Sequence, residues 1–112
     1  MVRRHGSFCT IVETNEFAGL KDRIFAADEL DALFDYLSTR PDAGVVVPGS
    51  GGIRKLRWGQ GANGKRGGAR VIYFHRREQM RVVLLTAYAK NRKSDLDKDK
   101  LMRMRKNVEE LD

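Results

Sequence analysis

Ala69-Arg70-Val71-Ile72-Tyr73-Phe74-His75, then Arg76-Arg77-Glu78-Gln79-Met80, then Arg81-Val82-Val83-Leu84-Leu85-Thr86-Ala87-Tyr88: residues 69–88 hold two strand-like runs joined by a short polar turn. β-Branched and aromatic residues fill both runs, as a pleated backbone favours. A join this short returns the chain antiparallel. The second run is apolar almost throughout, the pattern of a central strand covered on both faces.

Immediately upstream, Ile53-Arg54-Lys55-Leu56-Arg57-Trp58 supplies a third strand, so residues 53–88 predict an antiparallel meander. Side chains alternate along a strand, which puts Lys55 and Arg57 on one face and Leu56 and Trp58 on the other. If helices cover one face, Leu56 turns toward them and Lys55 and Arg57 project from the other. Arg70 starts the next strand near the same end of the sheet. Arg54 shares the parity of Leu56 and is expected at the strand edge, its stem snorkelling. Trp58 is expected in the core or under the following loop.

Working outward, Leu30, Leu33, Phe34 and Leu37 fall on one helical face and predict a helix over 28–39. Asp28 is its expected cap, Asp31 favours its first turn, and Pro41 ends it. Residues 13–20 read as a short helical turn and 7–12 as a first strand. Val45-Val46-Val47 is a short apolar run between turn residues. Ser94 and Asp97 fit a capping box that opens a last helix. Its apolar stripe is Leu101, Met104, Val108 and Leu111. The order β-α-α-β-β-β-α predicts an α+β fold, a mostly antiparallel sheet with helices packed on one face. The 112 residues make one domain, with 1–6 expected as a disordered tail.

No apolar run approaches the roughly 20 residues of a membrane helix, and no apolar segment follows the basic N-terminal residues as in a signal peptide. Cys9 is the single cysteine, expected as a small buried hydrophobe. One cysteine forms no intrachain disulfide, which agrees with a reducing cytoplasm. The net charge of +7 is concentrated: residues 53–93 carry twelve Lys/Arg and only Glu78 as an acid. Residues 1–52 are net negative, with five Lys/Arg and eight Asp/Glu. Such a block attracts polyanions, and salt-dependent phosphate binding follows from neutralising backbone charge.

Residues 59–66 contain Gly59-x-Gly61-x-x-Gly64 and Gly59-x4-Gly64-Lys65, fragments of nucleotide-binding patterns. Both patterns need a helix after the loop, and here a strand follows; Arg66 also stands where a Ser or Thr would hold a metal. A basic loop between strands is the better reading, with no nucleotide cofactor. Cutting RNA requires a group that orients or deprotonates the 2′-OH, another that protonates the leaving oxygen, and cations for the phosphate. His5 lies in the tail and His75 at a strand end. Acids are too scarce in the basic block for a two-metal carboxylate cluster. Lys, Arg and Tyr must then carry most of any catalysis. Tyr88 ends its strand before Lys90-Asn91-Arg92-Lys93, where it can stack on a base or cap the core, with lysines ready for phosphate.

The strings Gly51-Gly52-Ile53-Arg54-Lys55-Leu56-Arg57, Gly64-Lys65-Arg66-Gly67-Gly68-Ala69-Arg70-Val71-Ile72-Tyr73, and Leu84-Leu85-Thr86-Ala87-Tyr88-Ala89-Lys90-Asn91 with Ser94-Asp95-Leu96 resemble the RelE/HigB-type toxins of bacterial toxin–antitoxin systems. The likeness is closest to the HigB-like branch and spans about residues 8–110. It implies a RelE-like fold and metal-independent, ribosome-dependent cleavage of messenger RNA at the A site. A cognate helix-turn-helix antitoxin would neutralise the activity. Carried over by position, Lys55, Arg70, Lys90 and Tyr88 are the implied catalytic residues. Arg54, Arg57, Lys65, Arg66, Arg92 and Lys93 are the implied RNA-binding residues, with no metal ligand. The chain departs from the RelE pattern at Ile53, where a strand lysine is usual, at Asn91 for an arginine, and at Asp97 for a tyrosine. Two other readings remain open: a non-catalytic RNA- or ribosome-binding protein on the same fold, and a partner whose basic groove takes an acidic peptide.

Overall fold

Residues 8–59, 68–89 and 98–109 are described by the computed structural model. Among them the order is β1 (Thr10–Glu13), α1 (Asn15–Ile24), α2 (Ala27–Thr39), β2 (Val45–Val46), β3 (Arg54–Trp58), β4 (Ala69–Arg76), a 3-10 turn (Arg77–Gln79), β5 (Arg81–Ala89) and α3 (Lys98–Glu109). The expected helical turn at 13–20 is a full helix. Thr14 opens it: its hydroxyl accepts the Phe17 N–H at 3.3 Å and donates to the Leu84 carbonyl at 2.8 Å, tying α1 to the sheet. At α2 the cap is Ala26 rather than Asp28. Glu29 turns back to accept the Ala26 N–H at 3.0 Å, so the first turn closes without a polar cap residue.

The sheet runs β1-β5-β4-β3-β2. The meander β3-β4-β5 is antiparallel, as is β2 against β3, while β1 lies parallel to β5. β5 is thus an interior strand, between β1 and β4, and buried from Val82 to Ala87. Between Ile72 and Tyr73 the register slips: Ile72 faces Thr86, but Tyr73 faces Leu84. The extra residue, Leu85, makes a bulge that shifts the alternation of β5 by one. Leu85 and Tyr88, three residues apart, consequently turn to the same face.

Both faces of the sheet carry apolar side chains, and both are covered. On one, Phe17 of α1 and Leu30, Leu33 and Leu37 of α2 pack with Val71, Tyr73, Val82 and Leu84. On the other, Leu101, Met104 and Val108 of α3 pack with Ile53, Ile72, Val83 and Leu85. This corrects the expectation of helices on a single face. Adjacent apolar residues such as Val82-Val83 and Leu84-Leu85 present hydrophobic surface both ways, so a one-sided helical layer would leave half of it in water. The Arg76 guanidinium donates to the Val108 carbonyl at 2.6 Å, holding the end of α3 against β4.

Candidate nucleic-acid interface

Strand pairing aligns Arg57 of β3 with Arg70 of β4, and Arg70 with Tyr88 of β5. All three lie on the α3 face. Strands sit about 4.8 Å apart, so this row crosses roughly 10 Å of sheet. Lys55 is two residues down β3 from Arg57, on the same face, and pairs with Ile72. Lys55 and Arg57 are exposed; Arg70 and Tyr88 are half-buried. α3 sits over Ile53, Ile72, Val83 and Leu85, toward the other end of the strands. Tyr88 also packs against that second core, so it caps the core and flanks the row at once. Four of the sequence-predicted residues, Lys55, Arg57, Arg70 and Tyr88, are therefore brought together on one face.

Arg54 is not. It faces α1 and α2, its NH1 donating to the Gly44 carbonyl at 2.7 Å and the Asp42 carbonyl at 3.1 Å. Its NH2 lies 3.4 Å from the Asp42 carboxylate. Asp42 gathers further partners: His75 Nδ1 at 2.8 Å and Arg77 NH2 at 3.1 Å. The His75 hydrogen bond, with the charges of His75 and Arg54 and a hydrogen bond from Arg77, holds the Asp42 carboxyl below its ordinary 3.8. His75 thus belongs to this cluster and is apart from the row. Its Nε2 lies 3.8 Å from Cys9 Sγ, and burial pushes that thiol's pKa up, as fits a packing residue. The sequence shows Pro41-Asp42-Ala43-Gly44 only as a turn. Its partners stand 12 to 35 residues away, and nothing local marks Asp42 as a hub.

β3 is anchored from beneath. Leu56 packs on the first core, and Trp58 Nε1 donates to the Glu29 carbonyl at 2.9 Å with its ring 5.0 Å from that of Tyr36. Ile53, standing where a strand lysine was the family expectation, is fully buried in the second core. Lys65, Arg66, Lys90, Arg92 and Lys93 lie outside the described residues, as do Asn91, Ser94, Asp97 and Leu111. Among the described residues no helix is long and apolar enough to cross a membrane.

A family model described as the RelE toxin of the RelE/RelB toxin–antitoxin system matches residues 41–112. That span contains β2 to β5, α3 and every residue of the row. Among solved structures, a double arginine-to-alanine mutant of the E. coli toxin RelE in the free state superposes with a TM-score of 0.53. It is 13% identical in sequence, and the match covers 93% of this chain and 98% of that one. At that identity the likeness is one of fold.

Proposed function

We propose, on the premise that this chain belongs to the RelE toxin family, that it is an endoribonuclease that cuts messenger RNA on the ribosome using its own cations. The observation that carries this reading is the register of β3, β4 and β5, in which Arg57, Arg70 and Tyr88 align with Lys55 beside them. In the proposed step the 2′-oxygen attacks the adjacent phosphorus, the 2′-proton leaves, and the departing 5′-oxygen takes up a proton. Lys55 holds the phosphate or exchanges one of these protons. Arg70 donates to the phosphate oxygens as negative charge builds on them, where a fixed fork of donors serves best. Arg57 binds a neighbouring phosphate, and Tyr88 stacks on a base. Lys90 belongs to the same proposal by sequence position, and Lys65, Arg66, Arg92 and Lys93 by their charge. Arg54, engaged on the opposite face, is left out of it.

A helix-turn-helix antitoxin as the neutralising partner follows from the family premise. The HigB-like branch is proposed from the likeness of the strings at 51–57, 64–73, 84–91 and 94–96 taken together, of which Gly64–Tyr73 is the most specific. The test is induced expression in a bacterial host with transcript ends mapped. Growth arrest with cuts inside codons of translated messages is the expected result. Arrested ribosomes on unbroken transcripts would overturn the nuclease reading in favour of a binder.

A further inference from the structure

β3 carries Lys55 and Arg57, yet its outer neighbour is only the two-residue β2. Val45 pairs with Lys55, so the height of Lys55 depends on what holds β2. That support is a loop, residues 41–44, and the loop is bound to a side chain arriving from the face covered by α1 and α2. Tyr73 is fully buried at the middle of β4. Its hydroxyl donates to the Pro41 carbonyl at 2.8 Å and accepts the Gly44 N–H at 2.8 Å. Gly44 is wedged between this tyrosine and β3. A Cβ added there would stand 2.9 Å from the Tyr73 ring and hydroxyl and 3.0 Å from the Lys55 carbonyl oxygen. Arg54 adds a second tie through the carbonyls of Gly44 and Asp42. Hydroxyl, glycine and Lys55 backbone form one run of contacts across the sheet.

We infer that Tyr73 is a positioning residue for Lys55: its hydroxyl fixes loop 41–44 and β2, and through the Val45–Lys55 pairing sets Lys55 against the RNA. The inference rests on the proposed nuclease reading for its consequence and on the contacts above for its cause. Both hydrogen-bond partners are backbone groups, the Gly44 N–H buried and the Pro41 carbonyl half-buried, so losing the hydroxyl leaves the buried Gly44 N–H unsatisfied and frees the loop to move. A displacement of the order of 1 Å at a reacting group costs up to about 100-fold in rate.

The test is Tyr73→Phe, which removes one oxygen and keeps the ring. Amide exchange at Val45 and Lys55 should quicken by about tenfold or more while Val82 and Val83 keep their protection. The kcat for RNA cleavage should fall by about tenfold with RNA affinity held within about twofold. Gly44→Ala, which pushes on the same contacts, should give the same pattern and serves if Tyr73→Phe does not fold. Ile24→Ala, which trims a side chain packed on the same core from the end of α1, should lower stability and move neither readout. Exchange that stays unchanged at Val45 and Lys55, or quickens everywhere, overturns the inference. So does a wild-type kcat in a variant whose loop has loosened. A wild-type protein that cuts no RNA would sink the nuclease reading, and the exchange pattern would still decide the role of Tyr73.

Discussion

Arg54 and Lys55 are sequence neighbours with opposite surroundings, and the difference is one step of strand alternation. Arg54 turns toward α2 and spends its donors on Asp42 and two carbonyls; Lys55 turns to the exposed face beside Arg57. The alternation was legible in residues 53–58, and with it the sharing of a face by Lys55 and Arg57. That Asp42 would capture Arg54 was not legible, because the pair forms only when loop 41–44 is laid beside β3. Substitution should separate the two. Lys55→Ala is expected to lower cleavage by about 100-fold or more while RNA binding falls far less, measured by single-turnover kinetics and direct binding. Asp42 also gives a pH dependence. Its folded pKa lies below the ordinary value of 3.8, so its stabilising contribution is present above that value and is lost as pH falls through the lowered one. Asp42→Asn should therefore be less stable than wild type at neutral pH, and the gap should close in strong acid. With the Asp42 side chain 45% exposed, solvent screens the pairs, and the neutral-pH gap should not exceed about 1 kcal/mol. Denaturant titrations at the two pH values measure it.

At the scale of elements, what the sequence disclosed depended on how local the information was. The α2 stripe Leu30, Leu33, Phe34, Leu37 and the three long strands are written in short-range periodicity, and the structure contains them within a residue or two. The parallel pairing of β1 with β5 joins residues about seventy positions apart and leaves no local mark. β2 is two exposed valines, too short for any period to register. The bulge at Leu85 and the side of the sheet taken by α3 are decided by how the faces fill, after pairing. α3 tests this account. Leu101 is buried between the helix and Ile53, Ile72 and Val83. Leu101→Ala should cost about 2–5 kcal/mol as transfer and cavity contributions add, seen as an earlier thermal midpoint. If the row is an independent binding surface at the other end of the strands, RNA affinity of the folded variant should stay close to wild type.

Taken whole, the molecule is electrically two-sided. α2 exposes Asp28, Asp31 and Asp35 on the layer behind the sheet, while Lys55 is exposed on the opposite face and Arg57, at the rim, lines one hollow with Asp28 and Glu29. A polyanion approaching such a field is steered to the basic side and repelled from the acidic side formed by α2. The composition alone showed the imbalance; the fold turned it into a direction. Binding of single-stranded RNA should weaken linearly with the logarithm of salt, with about 0.7 of slope for each phosphate contact. Lys55→Ala, Arg57→Ala and Arg70→Ala should each reduce that slope by about this amount, as measured by titration at several salt concentrations.

The aligned cations either act on RNA as one site or they do not. The most direct measurement is the rate at which ribosome-bound messenger RNA is cut by wild type, Lys55→Ala, Arg70→Ala and Arg23→Ala, the last an exposed cation on α1. Lys55→Ala and Arg70→Ala should each lose about 100-fold or more, with Arg23→Ala cutting like wild type. Equal rates for all four proteins would contradict a single site.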